Sequence, residues 1–224
     1  MMILGKPITL SDSRYEFAAK YLAARRSNLP LGDIYDVGAG DGRMRPGVEG
    51  LGLAWRGFDL APRGAGIEKW DLDESCPHAG RNGAAVLLLD VLEHLPNPVI
   101  GLAHLAQVMA KGGLLVMTVP NPMWSRSRIH ALLKGYPACF TQQDLDGNGH
   151  VFTPWPHIVG HLLDRAGFEV IQYATLDGAT SWPAGPPSLR WPLRALHALA
   201  CKAIERFDPR ACGMSYSFVA RLRE

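Results

Sequence analysis

The chain lacks what would tie it to an extracellular scaffold, a membrane span or a polyanion. It has four cysteines in 224 residues, Cys76, Cys139, Cys201 and Cys212. They form no Cys-x-x-Cys pair and show no zinc spacing, so neither a disulfide framework nor a structural metal is expected. Long apolar runs are missing too. Ala84–Leu89 and Leu114–Met117 are the longest, far short of the ~20 residues that cross a bilayer. The opening Met1-Met2-Ile3-Leu4-Gly5-Lys6-Pro7 has no secretory h-region. Charge of one sign is absent as well: 23 Lys and Arg face 21 Asp and Glu, a formal +2. A dedicated nucleic-acid binder carries a basic footprint, so nucleic acid is not an expected partner. The expectation is a soluble, cytoplasmic protein from a reducing compartment.

What is present suits a globular enzyme-sized domain. Hydrophobic residues make up 47% of the chain and charged residues 20%, enough to build a core. Glycine (24) and proline (17) are abundant, together above the roughly 12% norm, which predicts long loops where binding chemistry tends to sit. Ser13-Arg14-Tyr15-Glu16 reads as a capping box opening a helix, with Phe17, Tyr21 and Ala24 at helical spacing.

Strands are then expected at Ile34–Val37, Ala54–Phe58, Ile67–Trp70, Ala84–Leu89, Leu114–Val119 and Phe168–Tyr173. The run Ala84–Leu89 is apolar throughout, as a parallel strand covered on both faces should be. Asn97-Pro98 signals a helix carrying Val99, Leu102, Ala106 and Met109, stopped by Gly112; Thr153-Pro154 signals another, stopped by Gly167. Met214–Leu222 alternates strictly, which suits an antiparallel strand with one wetter face. The order predicts a single α/β domain over 1–224: a Rossmann-like doubly wound sheet of seven strands, mostly parallel, with an antiparallel last strand. Two insertions, 121–152 and 177–213, stand outside this plan as acceptor-side lid or surface helices.

Ligands of open α/β sheets bind beyond the carboxyl ends of the strands. Acids recur at that edge here: Asp36 in the first strand, then Asp59, Asp71 and Asp90 after the next three. Gly38-Ala39-Gly40-Asp41-Gly42 follows the first strand, and its glycines allow a tight turn and close backbone approach to a ligand. Asp59 is placed to accept both hydroxyls of a ribose. A dinucleotide fingerprint wants Gly-x-Gly-x-x-Gly; Arg43 holds its third glycine position, and Gly42 falls one residue early. Asp36 and Asp41 beside the loop would repel a pyrophosphate and suit a cationic ligand end. A nicotinamide dehydrogenase is therefore disfavoured.

The set resembles class I S-adenosylmethionine-dependent methyltransferases. Asp36–Gly42 is similar to that family's first motif, Asp59 with Leu60 to its ribose-binding position, and Asp71-Leu72 to its adenine edge. Leu89-Asp90-Val91-Leu92-Glu93-His94-Leu95-Pro96 resembles the fourth-motif segment of small-molecule, ubiquinone-type O-methyltransferases. Gly112–Val116, His150–Pro154 and Ala166–Val170 resemble later segments of the same subgroup. The resemblance spans about Asp33 to Tyr173 and departs in a compressed link between the first two strands and a long insert before the last. It implies S-adenosylmethionine as cofactor, with Asp36, Gly38, Ala39, Gly40, Asp59, Leu60, Asp71, Leu72, Asp90 and Val91 around it. It also implies methyl transfer to a small-molecule acceptor, at oxygen.

A hydroxyl acceptor must lose its proton, for which histidine is the usual group near neutral pH. His94, after the fourth strand, and His150, closing the first insertion, are the candidates; His130 on the lid helix is a lesser one. Glu93-His94 could hold a metal, but two adjacent residues chelate poorly and no metal is expected. In the first insertion Met123, Trp124, Arg126, Arg128, Tyr136 and Phe140 could grip a planar or anionic acceptor, or simply pack a loop. In the second, Trp182, Trp191, Leu193, Leu196, Ala200, Ile204 and Phe207 stand beside Arg190, Arg194, Lys202 and Arg206. Residues 188–207 so form a basic amphipathic helix for a membrane surface, a homodimer contact or the core. A non-catalytic module that keeps the fold and uses these insertions for contact is the rival reading.

Overall fold

A computed structural model describes residues 5–77, 80, 82–178 and 191–223. Along the chain come β1 (Ile8–Thr9), α1 (Arg14–Arg25), β2 (Asp33–Val37), α2 (Arg45–Gly50), β3 (Trp55–Asp59), β4 (Ile67–Lys69) and β5 (Gly83–Leu89). Then follow α3 (Pro98–Val108), β6 (Met109–Pro120), α4 (Ser125–Lys134), α5 (Gln142–Asn148), α6 (Pro156–Arg165), β7 (Phe168–Leu176), α7 (Trp191–Phe207) and β8 (Ser215–Leu222). The strands form one sheet in the order β1-β7-β8-β6-β5-β2-β3-β4. β8 runs antiparallel to both β6 and β7, and the other pairs are parallel.

The strand period of two divides the core between two helix layers. From β5, Val86 and Leu88 turn toward Leu102 and Leu105 of α3 and Val159 and Leu163 of α6. Ala85, Leu87 and Leu89 turn the other way, toward Phe17, Ala18 and Leu22 of α1 and Val48 of α2. Each fully buried leucine contributes about 1.5–3 kcal/mol, so this central strand carries much of the fold's stability. The Ser13 capping box is present: its hydroxyl meets the Glu16 backbone N–H and the Glu16 carboxylate returns to the Ser13 N–H.

Several expectations need correction. The sheet has eight strands, because the two-residue β1 pairs with β7 at the edge. β8 is buried at every residue except Arg221, so neither of its faces is wet; it lies between β6 and β7 beneath both helix layers. β6 begins at Met109, directly where α3 ends, because Met109 already pairs with Gly83 of β5. Gly112 thus belongs to the strand. α6 starts at Pro156 with Trp155 at the N-cap, two residues beyond the expected Thr153-Pro154 start. The short link between β2 and β3 holds the six-residue α2. Trp182 and Arg190 of the second insertion lie outside the described residues.

Candidate active site

The carboxyl ends of β2, β3 and β5 open onto a cavity of about 530 Å³. Eight of the residues expected from the sequence line it. They are Gly38, Asp59, Leu60, Asp71, Leu72, Asp90, Val91 and His94. Trp70 and Arg63 also reach its wall; neither was singled out, since a strand-end tryptophan and a loop arginine have no signature of their own.

The loop after β2 is stitched to the end of β3. The Phe58 carbonyl accepts the N–H groups of both Gly38 and Ala39, at 2.8 and 3.0 Å. The two oxygens of Asp59 accept the Gly40 and Ala61 N–H groups, each at 2.8 Å. A carboxylate has about four lone-pair sites, so each Asp59 oxygen keeps capacity for a further donor, and the side chain is aimed before any ligand arrives. Gly38 has φ +77°, and a Cβ there would collide with Cγ2 of Val91. Only glycine permits both the turn and this approach.

Three expected cofactor residues do not line the cavity. Ala39 and Gly40 serve the stitching. Asp36 faces the α1–α2 side of the sheet, 3% exposed, and its Oδ2 accepts the Trp55 indole N–H at 3.1 Å. Burial, opposed by that hydrogen bond and reinforced by the charges of Asp59 and Asp41, pushes its carboxyl up to about 6. Gly57 makes room for the Trp55 ring, which lies where a Cβ would be.

A second cavity, of about 350 Å³, lies between the start of α1 and α5. Arg14, Tyr15, Cys139, Asp144, Asn148 and His150 contribute to its wall, and Asp90 lines both cavities. Asp90 sits at φ +54°, a region uncommon for non-glycine residues. Its Oδ1 accepts the Thr118 hydroxyl at 2.7 Å and its Oδ2 pairs with Arg14. Arg14 also donates to the Tyr15 hydroxyl at 3.2 Å. Sequence reasoning passed over Arg14 because its partner is 76 positions away.

The two candidate histidines meet at the junction. His94 lines the larger cavity and His150 the smaller, with ring centroids 4.9 Å apart and edge to face. The His150 Nδ1–H donates to the Cys139 carbonyl at 2.7 Å. Burial and the neighbouring His150 hold His94 below its usual value, which keeps it neutral and able to accept a proton at physiological pH. Close to both is Glu93, 1% exposed, whose carboxylate oxygens have no hydrogen-bond partner beyond its own backbone. Burial, then the Asp90 charge, pushes its carboxyl up to about 8. One ligating atom from each of Glu93, His94 and His150 lies within 4.8 Å of the others. His130 stays away from both cavities, its Nδ1 donating to the Tyr136 carbonyl.

The aromatics and arginines of the first insertion mostly pack helices together. Arg128 donates to the Met123 carbonyl and pairs with Asp208 at 2.5 Å, and Arg126 stacks on Trp124. Phe140 packs against the His150 ring. None of Met123, Trp124, Arg126, Arg128, Tyr136 and Phe140 lines either cavity. α7 buries only Ala198 and Cys201, while Leu193, Leu196, Leu199 and Phe207 point outward. No helix among the described residues is long and apolar enough to cross a membrane.

Known proteins agree with this architecture. A family described as "Methyltransferase domain" matches residues 10–173. No curated protein matches the sequence. An S-adenosylmethionine-dependent methyltransferase from Archaeoglobus fulgidus superposes with TM-score 0.61 at 17% identity, over 93% of this chain and 94% of that one. One from Mesorhizobium loti gives TM-score 0.52 at 17% identity, over 92% and 99%. A chain from the complex of the Haloferax volcanii Trm112 methyltransferase activator with a methyltransferase gives 0.56 at 15%, over 94% and 96%. These likenesses concern the fold. The family match covers most of the chain, which therefore belongs to the methyltransferase-domain family, as a class I S-adenosylmethionine-dependent methyltransferase.

Proposed function

We propose that S-adenosylmethionine occupies the larger cavity and that a small-molecule acceptor, methylated at oxygen, enters the smaller one. The observation that carries this reading is their junction, where Asp90 lines both cavities and the His94–His150 pair stands between them. Methyl transfer is an in-line displacement, so sulfonium and nucleophile must meet end to end, and orientation with exclusion of water supplies most of the acceleration.

In this reading Asp59 takes the ribose hydroxyls on its spare lone pairs, beside Leu60. Asp71 and Leu72 border the adenine, and the Gly38-Ala39-Gly40 loop gives the cofactor close backbone approach. Asp36 acts from behind the loop through its charge. Val91 and Asp90 bound the methionine end. His94 or His150 takes the acceptor proton. The four cysteines, none of them in a disulfide, favour a reducing, cytoplasmic setting. The outward leucines of α7 favour a surface contact through 191–207, with a membrane surface or a second copy of the chain.

Calorimetry tests the cofactor half. Wild type binds S-adenosylmethionine, and Asp59→Ala loses two hydrogen bonds to a charged acceptor, worth about 1.5–3 kcal/mol each, for at least ~100-fold weaker binding. No binding to the wild type overturns the reading. Transfer of a labelled methyl group to a panel of phenols, hydroxy acids and amines tests the acceptor half; transfer to amines alone would refute oxygen as the target.

A further inference from the structure

We propose that Glu93, His94 and His150 form a binding site for one divalent transition-metal ion, of the zinc type, at the junction of the two cavities. The sequence offered only the adjacent Glu93-His94, a poor chelate. Folding adds the third group from 57 positions along the chain and brings one ligating atom of each residue within 4.8 Å of the others. Two histidines and one glutamate are a donor set that holds catalytic zinc in other folds, leaving a coordination position open.

Three further observations converge. The Glu93 carboxylate is 1% exposed and neither oxygen has a hydrogen-bond partner beyond the residue's own backbone. Buried polar atoms are nearly always partnered, and a cation between this carboxylate and the histidines supplies what the protein does not. His150 is oriented as a metal ligand should be: its Nδ1–H is fixed on the Cys139 carbonyl, which leaves Nε2 free to coordinate. The site is also tied together in advance, since the Val151 and Phe152 N–H groups both donate to the Glu93 carbonyl at 3.0 Å. That pair of bonds clamps the segment carrying His150 to the turn carrying Glu93 and His94.

His150 lines the smaller cavity, which puts one ligand of the site on the wall of the proposed acceptor cavity. This second half rests on the reading of that cavity as the acceptor site. An acceptor hydroxyl entering the coordination sphere becomes more acidic and releases its proton to solvent. The oxygen then forms a bond to the methyl carbon as the carbon–sulfur bond breaks, and the sulfonium leaves as a neutral thioether. With the metal bound the two histidines act as its ligands; in the metal-free chain either remains the base proposed above.

The full chain, stripped with chelator, is loaded with Zn²⁺ and analysed by equilibrium dialysis, and with Co²⁺ and followed by visible absorption. We expect one equivalent bound and a Co²⁺ spectrum of low coordination number. Glu93→Gln and His150→Ala should each weaken binding at least tenfold, while exposed His157→Ala leaves it unchanged. Circular dichroism verifies that each variant folds. A wild type without stoichiometric binding, or folded Glu93→Gln and His150→Ala variants that bind as the wild type does, would overturn the site. Calorimetry with S-adenosylmethionine on the metal-free chain reports the cofactor reading separately, so the two can fail independently.

Discussion

Asp36→Asn should stabilise the protein at neutral pH and leave it no more stable in acid. The carboxyl of Asp36 is buried among β2, β3 and Trp55, and burial pushes it up to about 6 from an ordinary 3.8. Below about pH 4 it is protonated in both the folded and the unfolded chain, and no penalty arises. Between pH 4 and 6 the unfolded chain gives up the proton while the folded chain keeps it, so stability falls as pH rises. Above pH 6 both are ionised and the penalty is complete. A displacement of about two pH units, at about 1.4 kcal/mol each, amounts to about 3 kcal/mol. Asparagine keeps an oxygen for the Trp55 N–H and removes the charge, but brings a buried amide with donors to satisfy, which costs about 1–3 kcal/mol. The pH-independent cost is common to all conditions, so the informative quantity is the difference between variant and wild type at two pH values. Urea unfolding at pH 4 and pH 8 should show the variant gaining about 2–3 kcal/mol relative to wild type between them. A difference that stays constant from pH 4 to pH 8 would refute the buried-charge account of Asp36.

Gly38→Ala places a Cβ in a left-handed conformation and against Val91; strain of about 1–2 kcal/mol and overpacking of about 1–3 kcal/mol should lower the urea midpoint, and adding Val91→Ala should recover only the packing share. Arg14→Ala removes the partner of Asp90 at the wall of the smaller cavity, so steady-state kinetics should show a raised KM for the acceptor with cofactor affinity within about threefold of wild type. Equal losses of both would show that Arg14 supports the larger cavity instead.

The parts of this fold that were legible in the sequence are those whose signals are local. β5 announces itself because a strand covered on both faces can be apolar throughout. The strand-end acids and the glycine loop lie in one short stretch after each strand, and Asp59, Asp71 and Asp90 all reach the larger cavity as expected. Local rules misled where tertiary contacts outweighed them. The alternation of β8 resembles a half-wet strand, yet Ser215 and Ser217 are buried with the rest because helices cover both faces. Thr153-Pro154 resembles a helix start, but Pro156 takes that role and the Pro154 carbonyl instead accepts the buried Tyr216 hydroxyl, at 2.8 Å. Asp36 resembled a cofactor contact because it precedes the glycine loop; strand parity turns it the other way, toward Trp55. β1, at two residues, is too short for any period to show.

The smaller cavity, proposed above for the acceptor, was the least legible, and Asp90 shows why. In sequence it is the fourth strand-end acid and looks equivalent to the other three. In the fold both its oxygens are already engaged, one by Thr118 of β6 and the other by Arg14 of α1. It therefore acts as a brace that holds the first turn of α1 across the end of the sheet. That brace makes Ser13, Arg14 and Tyr15 part of the smaller cavity, opposite Cys139, Asp144 and Asn148 from the insertion before β7. The two walls come from segments more than a hundred positions apart, one ahead of the glycine loop and one between β6 and β7. The residues around the larger cavity recur in motifs because the sheet presents them in order. The residues of the smaller cavity are brought together only in the fold, with Arg14 of α1 held on Asp90, and no spacing in the chain records that meeting.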